Sequence, residues 1–465
     1  MIDSFASIGE MRRGLTRKEF SSVELTEHYL TRLQTVGRRH RAVAEIMRER
    51  ALTEARAADR RIAAGETTPV LGVPYGAKDL FAAKGAPTRW GSPGHKDQSF
   101  DFDATVIEKL TNAGAVLAGK LSMIELAGGG NYDVPWASAD GACLQAHDAT
   151  RWAGGSSSGS GAATALGCVG FSLGSETSGS ITCPSAFNGA TGLRPTYGRV
   201  SRFGAMALCW TLDKVGPIAR SVDDCVDVLR VISGRDEKDP SSVDSPLDLR
   251  APGKIRIGLL RERFTENNAG VCEKAYLEAV EIFKKKGYEI VDVAYPEMPY
   301  GLVVGLIVDA EGTSAHENFI RSEKLAELAD VNQVAGFAAG LEVKAVDYLW
   351  AMRMRTEAAA KCAAIWEKCD CIFTPVFYHR APPADRPFTE TWRQMGGDGG
   401  PANLLGWPTV AFPIGFEEGS PIGGQVISPA FGENVSIAVA GAYQEVTTNH
   451  RARPKNSQNE QSRVH

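Results

Sequence analysis

Residues 22 to 34 open on a serine and then place Val23, Leu25, Tyr29, Leu30 and Leu33 at helical spacing, which predicts an amphipathic helix. An Ala- and Arg-rich stretch from 48 to 64 predicts a second helix, stopped by Gly65. The texture then changes. Residues 70 to 73 are apolar and lead through Pro74 into Tyr75-Gly76-Ala77-Lys78-Asp79. A helix is expected over 104 to 112, broken by Gly114 and followed by a strand over 115 to 118. Another strand is expected over 169 to 173. Further on, strand-like segments at 254 to 260 and 288 to 293 flank a helical segment at 271 to 286. A helix between two strands is the pattern of a parallel crossover, so the fold class expected is α/β. Residues 335 to 357 look helical, and 369 to 376, 408 to 414 and 423 to 428 supply further strands.

No Pro/Gly/Ser linker divides the chain, so residues 1 to 445 are expected to form one large domain. The polar stretch 446 to 465 is expected to be a loosely ordered tail. The 465 residues are 43% hydrophobic and 23% charged, ordinary composition for a globular chain with a sizeable core. Lys and Arg number 51 against 56 for Asp and Glu, a net charge of −5. Binding to a polyanion is driven by clustered excess positive charge, so neither nucleic acid nor a membrane surface is expected as a partner. The compact basic run, Lys284-Lys285-Lys286, reads as the solvated end of a helix. No stretch of eighteen apolar residues and no secretory leader pattern is present. Nine scattered cysteines, an odd number, fit reduced thiols, and a cytoplasmic location is expected. Cys369 and Cys371 alternate with apolar residues as in a buried strand and lack the companion ligands of a zinc site.

The unusual chemistry lies in two clusters. Gly154-Gly155-Ser156-Ser157-Ser158-Gly159-Ser160-Gly161 runs into Ala162-Ala163-Thr164-Ala165-Leu166, and Gly174-Ser175-Glu176-Thr177-Ser178-Gly179-Ser180 follows the strand-like 169 to 173. A flexible linker would have polar flanks, whereas good helix formers follow here. A phosphate-cradling loop would need a Gly-Lys-Ser/Thr ending, which is missing. Gly155-Ser156-Ser157-Ser158-Gly159 matches the nucleophile-elbow pattern with Ser157 as nucleophile, although 148 to 152 makes a poor preceding strand. A further reading takes both clusters together. Glycines let backbone N–H groups come close to a substrate, and a loop entering a helix offers several unpaired donors. Residues 177 to 180 would then hold a developing oxyanion, with Ser180 as nucleophile beside it.

A serine hydroxyl needs a base. The eight histidines, at 28, 40, 95, 147, 316, 379, 450 and 465, stand in no evidently catalytic context. Lysine serves if its surroundings keep it neutral. Lowering its pKa from about 10.4 to about 7 costs roughly 4.6 kcal/mol, so burial among uncharged groups is required. Lys78, at the end of an apolar strand signal, is a candidate.

These segments resemble the amidase signature family. The resemblance rests on Gly72-Val73-Pro74 leading to Lys78-Asp79, on both Gly/Ser clusters, and on Ser156 and Ser180 standing 24 residues apart. It continues through 192 to 201, 212 to 217, 403 to 413 and 421 to 426, and spans most of residues 20 to 442. It implies a mixed central β-sheet sandwiched between layers of helices. It also implies a Ser-cisSer-Lys triad: Ser180 as nucleophile, Ser156 in a cis peptide as proton relay, Lys78 as base. Backbone N–H groups of Thr177, Ser178, Gly179 and Ser180 would form the oxyanion hole. No metal or organic cofactor is implied, and a homodimer is possible.

Two departures bear on substrate. The family text around the nucleophile is Asp-Thr-Gly-Gly-Ser-Ile-Arg, and here it reads Glu176-Thr177-Ser178-Gly179-Ser180-Ile181-Thr182. Arginine at 182 could clamp a carboxylate bidentately and threonine cannot, so neutral substrates are expected. The loop 126 to 136 also differs, and Gly129, Gly130, Asn131, Tyr132 and Trp136, with Trp210 and Trp392, are candidates for the wall of an apolar pocket. The Gly-rich 396 to 400 is a candidate lid. The function expected is hydrolysis of C–N bonds in neutral, hydrophobic or aryl amides, with carbamates (a urethanase activity) and esters accessible by the same acyl-enzyme. The alternatives are the glutaminase (A) subunit of a tRNA-dependent amidotransferase, a non-catalytic amidase-like binding protein and a Ser-His-Asp esterase.

Overall fold

The helix Ser22–Arg32 (α2) begins with a capping box, in which the Ser21 hydroxyl accepts from Glu24 N–H and the Glu24 carboxylate accepts from Ser21 N–H. The same device at Ser7 and Glu10 starts the preceding helix Ile8–Thr16 (α1). Helices Arg48–Ala63 (α3) and Thr105–Asn112 (α4) follow the spacing of their apolar residues, and both bury one face. The computed structural model describes residues 2–262, 270–391 and 399–455. Trp392, the first part of the 396 to 400 stretch and residues 456 to 465 of the tail lie outside the described residues. Within the tail, Arg453 pairs with Asp3 at 2.6 Å.

Among the described residues the strands join in one eleven-stranded sheet. In chain order its strands are Val43–Ile46 (β1), Pro74–Lys78 (β2), Val116–Leu121 (β3), Phe171–Glu176 (β4), Thr191–Arg194 (β5), Lys214–Ala219 (β6), Arg256–Leu259 (β7), Glu289–Asp292 (β8), Cys371–Pro375 (β9), Thr409–Glu417 (β10) and Ser420–Ile427 (β11). Their spatial order is β1-β3-β2-β4-β6-β5-β10-β11-β9-β7-β8. The β2 strand runs parallel to β3 and β4, and β7 runs parallel to β8 and β9, while the remaining pairings are antiparallel. The mixed α/β sheet expected from the sequence is present, including the parallel crossover from β7 to β8 through the helix Glu273–Lys285. That helix ends in the exposed Lys284-Lys285-Lys286, as its charge suggests.

Two short helices sit against the centre of the sheet. Ser158–Ala165 (α5) and Thr182–Asn188 (α6) are buried along their whole length. They touch so closely that a Cβ on Gly161 would come within 2.6 Å of the Pro184 carbonyl oxygen. The Gly/Ser composition around 154 to 161 thus serves close helix packing. Each helix is entered from a loop beside the carboxyl ends of the parallel neighbours β2 and β4, where open α/β sheets place their ligands.

Candidate active site

Lys78 is the last residue of β2 and is fully buried. Its Nζ lies 2.7 Å from Ser156 Oγ and 3.0 Å from Ser175 Oγ. Burial pushes its pKa down to about 7, with Asp213 and Glu176 opposing the shift only in part. An amine whose partners are hydroxyls loses its hydration without gaining an ion pair, which favours the neutral form. Ser156 stands on the loop leading to α5, and the Gly155–Ser156 peptide is cis. Its Oγ lies 2.9 Å from Ser180 Oγ, so the three groups form one continuous hydrogen-bonded chain. Ser180, at the entrance to α6, is buried apart from a small exposed fraction.

The loop from 177 to 180 joins β4 to α6. Gly179 holds φ +91°, a left-handed conformation that suits glycine. The backbone N–H groups of Thr177, Ser178, Gly179 and Ser180 donate to no protein acceptor among the described residues. The loop is pinned from outside. The Glu176 carboxylate, buried at the end of β4, accepts from the N–H groups of Ile181 and Thr182 at 2.8 and 2.9 Å and from Arg194 Nη1 at 2.5 Å. The Arg194 and Lys214 charges overcome its burial and hold its pKa at about 2. Thr177 Oγ1 donates to Asp213 at 2.5 Å, and the Thr177 carbonyl accepts from Lys214 Nζ at 3.2 Å.

Two readings of the sequence are corrected here. Ser157, the nucleophile of the elbow pattern, is fully buried, and its hydroxyl bonds the backbone of Ser175 at 3.2 and 3.3 Å. It is a strut between α5 and β4. Thr182 is also buried, and its hydroxyl donates to Glu176 at 3.2 Å. Position 182 faces a structural carboxylate, so the loss of arginine there carries no information about substrate charge.

A cavity of about 180 Å³ opens beside this constellation, reaching Ser175 and Thr177. Its wall is mostly apolar, with Leu80, Ala127, Met206, Leu208, Trp210 and Val215. Of the predicted pocket residues, Trp210 lines this cavity and is 40% exposed. The other candidates among the described residues are held elsewhere. A Cβ on Gly129 would meet Phe337 at 2.6 Å, and one on Gly130 would meet the Gln333 carbonyl at 2.4 Å. Asn131 donates to Asp309 at 3.2 Å. Tyr132 and Trp136 join an aromatic cluster with Trp152, Phe187 and Phe388. That cluster backs Gly155, whose Cβ would meet Trp152 at 2.9 Å. Sequence reasoning missed Ser175, Asp213 and Lys214. All three lie inside the motif segments, but their contacts join strands distant in sequence.

Residues 24–436 match the family model described as Amidase. The chain belongs to the amidase signature family. It is accordingly an enzyme acting on C–N bonds, with no helix among the described residues long and apolar enough to cross a membrane. Among relatives, the A-type component of the glutamyl-tRNA(Gln) amidotransferase of Roseiflexus castenholzii is 35% identical, with 97% of each chain covered. Among solved structures, one described as a vestigial protein complex revealing the evolutionary origins of an s-triazine catabolic enzyme superimposes with a TM-score of 0.86 at 30% identity, covering 95% of this chain and 98% of that one. The peptide amidase of Stenotrophomonas maltophilia gives a TM-score of 0.82 at 28% identity, covering 96% and 97%.

Proposed function

We propose that this amidase signature enzyme hydrolyses neutral, hydrophobic or aryl amides, and carbamates by the same route, through an acyl-enzyme on Ser180. The observation that carries the reading is the Lys78–Ser156–Ser180 chain, with hydroxyls as the only hydrogen-bond partners of Lys78 Nζ among the described residues. Ser180 Oγ bonds to the carbonyl carbon as its proton moves to Ser156 and the Ser156 proton moves to Lys78. The oxyanion is met by the free N–H groups of 177 to 180, a device worth about 2.7–4 kcal/mol per donor. On collapse the C–N bond breaks, and the leaving amine takes the proton back from Lys78 through Ser156. Water then attacks the ester by the same relay, releasing the acid and restoring Ser180.

The preference for neutral groups rests on the cavity. Its charged side chains are already engaged, Arg202 with Asp239 at 3.5 Å, Lys238 with Glu108 at 3.0 Å and Asp213 by the Thr177 hydroxyl and the N–H groups of Leu208 and Cys209, leaving an apolar wall for the substrate. The test is fluorophosphonate labelling with peptide mapping, followed by a panel of aryl amides, carbamates, short aliphatic amides and glutamine. Modification of Ser180 and preference for the aryl members support the reading. Absence of label, or preference for a carboxylate-bearing amide, overturns it.

A second reading, the glutaminase component of an amidotransferase, is favoured by the relatives of that name. It would draw on the exposed apolar Leu302, Val331, Val346 and Leu349, carried by the helices Tyr300–Ala315, Val331–Gly340 and Ala345–Cys362, as a surface for partner proteins or for a second copy of this chain. Glutamine turnover that emerges only with added amidotransferase partners would favour it.

A further inference from the structure

A second buried lysine stands on the other side of the 177–180 loop. Lys214 opens β6 directly opposite Glu176 of β4 in the antiparallel register. Its Nζ donates to the carbonyl oxygens of Thr177 at 3.2 Å and Asn403 at 3.5 Å. The surroundings of the two lysines differ in kind. Lys78 meets hydroxyls, which donate to an amine as readily as they accept from it, whereas Lys214 meets carbonyl oxygens, which only accept. The groups facing Lys214 are Glu176 on β4, Arg194 on β5, and Asp213 and Cys209 on the preceding loop. With Lys78 neutral, a protonated Lys214 and Arg194 balance the carboxylates of Glu176 and Asp213 without remainder.

The Thr177 carbonyl belongs to the same peptide group as the Ser178 N–H. A hydrogen bond accepted by a peptide oxygen strengthens donation by that peptide's nitrogen. Resting on the reading of Ser180 as nucleophile, we infer that Lys214 is a positioning residue of the reaction: its ammonium fixes and polarises the 177–178 peptide and so strengthens the Ser178 N–H as an oxyanion donor. Burial and the neighbouring Arg194 lower the Lys214 pKa to about 7, against the pull of Glu176 and Asp213. Its proton is therefore exchanged in the neutral range, and activity falls on the alkaline side as it leaves.

The test compares wild type, Lys214→Met and Lys214→Arg by pH profiles of kcat/KM on an aryl amide, with fluorophosphonate labelling of Ser180 in parallel. Deleting an oxyanion donor costs about 10²–10³-fold, and weakening one should cost about tenfold in kcat with KM little changed. Lys214→Met should lose the alkaline limb and keep the acid limb set by Lys78. Lys214→Arg keeps its charge throughout, so its alkaline limb should move beyond about pH 10, a readout that stands even where the methionine variant does not fold. An alkaline limb absent from wild type, or identical in wild type and the folded variants, overturns the inference. Unlabelled Ser180 in wild type overturns the underlying reading instead.

Discussion

Lys78 Nζ and Ser156 Oγ lie 2.7 Å apart in a site where the lysine is fully buried. The relation makes the lysine an acceptor for the serine proton only while it is neutral. The acid limb of the pH profile should therefore be set by Lys78, with activity falling below about 7, the value to which burial lowers it, as the amine is protonated. Lys78→Met and Ser156→Ala should each cut kcat by about 10²–10⁴-fold with unchanged circular dichroism. An acid limb that survives in residual Lys78→Met activity would show that another group is titrating.

Gly179→Ala separates conformation from packing. A Cβ at 179 meets nothing within 4 Å, so the penalty comes from φ +91°. An alanine there costs about 1–2 kcal/mol if the loop keeps its shape. Relaxation of the loop would instead misdirect the oxyanion donors. The expected result is a small fall in Tm with a loss of kcat of about 10²-fold, read by calorimetry and steady-state kinetics. A large fall in Tm with kcat preserved would contradict it.

The helices α3 and α4 and the β7–β8 crossover are legible because their apolar spacing decides them locally. The apolar signal that ends at Lys78 is the strand β2, and the apolar residues before Pro74 form a buried turn that feeds it. Residues 335 to 357 form two helices rather than one, broken after Gly340, where a Cβ would come within 2.0 Å of Thr313 Oγ1. The edge strand β1 and helix α1 escape the hydrophobic pattern, although Ser7 and Glu10 carry the capping-box spacing. In the site, Lys78, Ser156 and Ser180 were legible from a motif. Glu176 to Arg194, Thr177 to Asp213 and Thr177 to Lys214 were not, because register across the sheet sets those pairs. The same limit explains the misreading of Thr182, whose direction only the buried Glu176 reveals.

Glu176→Gln removes the partner of a fully buried guanidinium. Arg194 would keep bonds to Asn403, Trp407 and Thr409 but lose its counter-charge. Breaking a buried pair from one side costs about 3–5 kcal/mol. Urea unfolding should register that loss, and turnover should fall because the same carboxylate holds Ile181 and Thr182 at the end of the oxyanion loop. A variant as stable as wild type would show that the pair is not a support.

Trp210 narrows a cavity of about 180 Å³, and truncation to alanine enlarges it. For two anilides differing in a bulky para substituent, Trp210→Ala should shift the ratio of kcat/KM about tenfold towards the bulky one, the scale on which apolar pockets discriminate. A ratio that stays put would place the substrate elsewhere.

His316 is buried against Trp90 and Phe337, ring centroids 5.9 and 6.0 Å away, and its Nε2 has no hydrogen-bond partner among the described residues. Burial and the nearby His95 lower its pKa to about 4. His95 is lowered to about 4 as well, by burial and Lys324. The unfolded chain binds these protons near pH 6.5, so between about 6.5 and 4 it holds more protons than the folded one. Stability is therefore complete above about pH 6.5 and declines as pH falls towards 4. For His316 the loss at pH 5 is about 2 kcal/mol relative to neutral pH. His316→Phe, which keeps an aromatic body without a titrating nitrogen, should flatten the fall in unfolding free energy between pH 7 and 5 by about that amount. An unchanged slope would show that the ring is protonated inside the fold without penalty and would overturn this account.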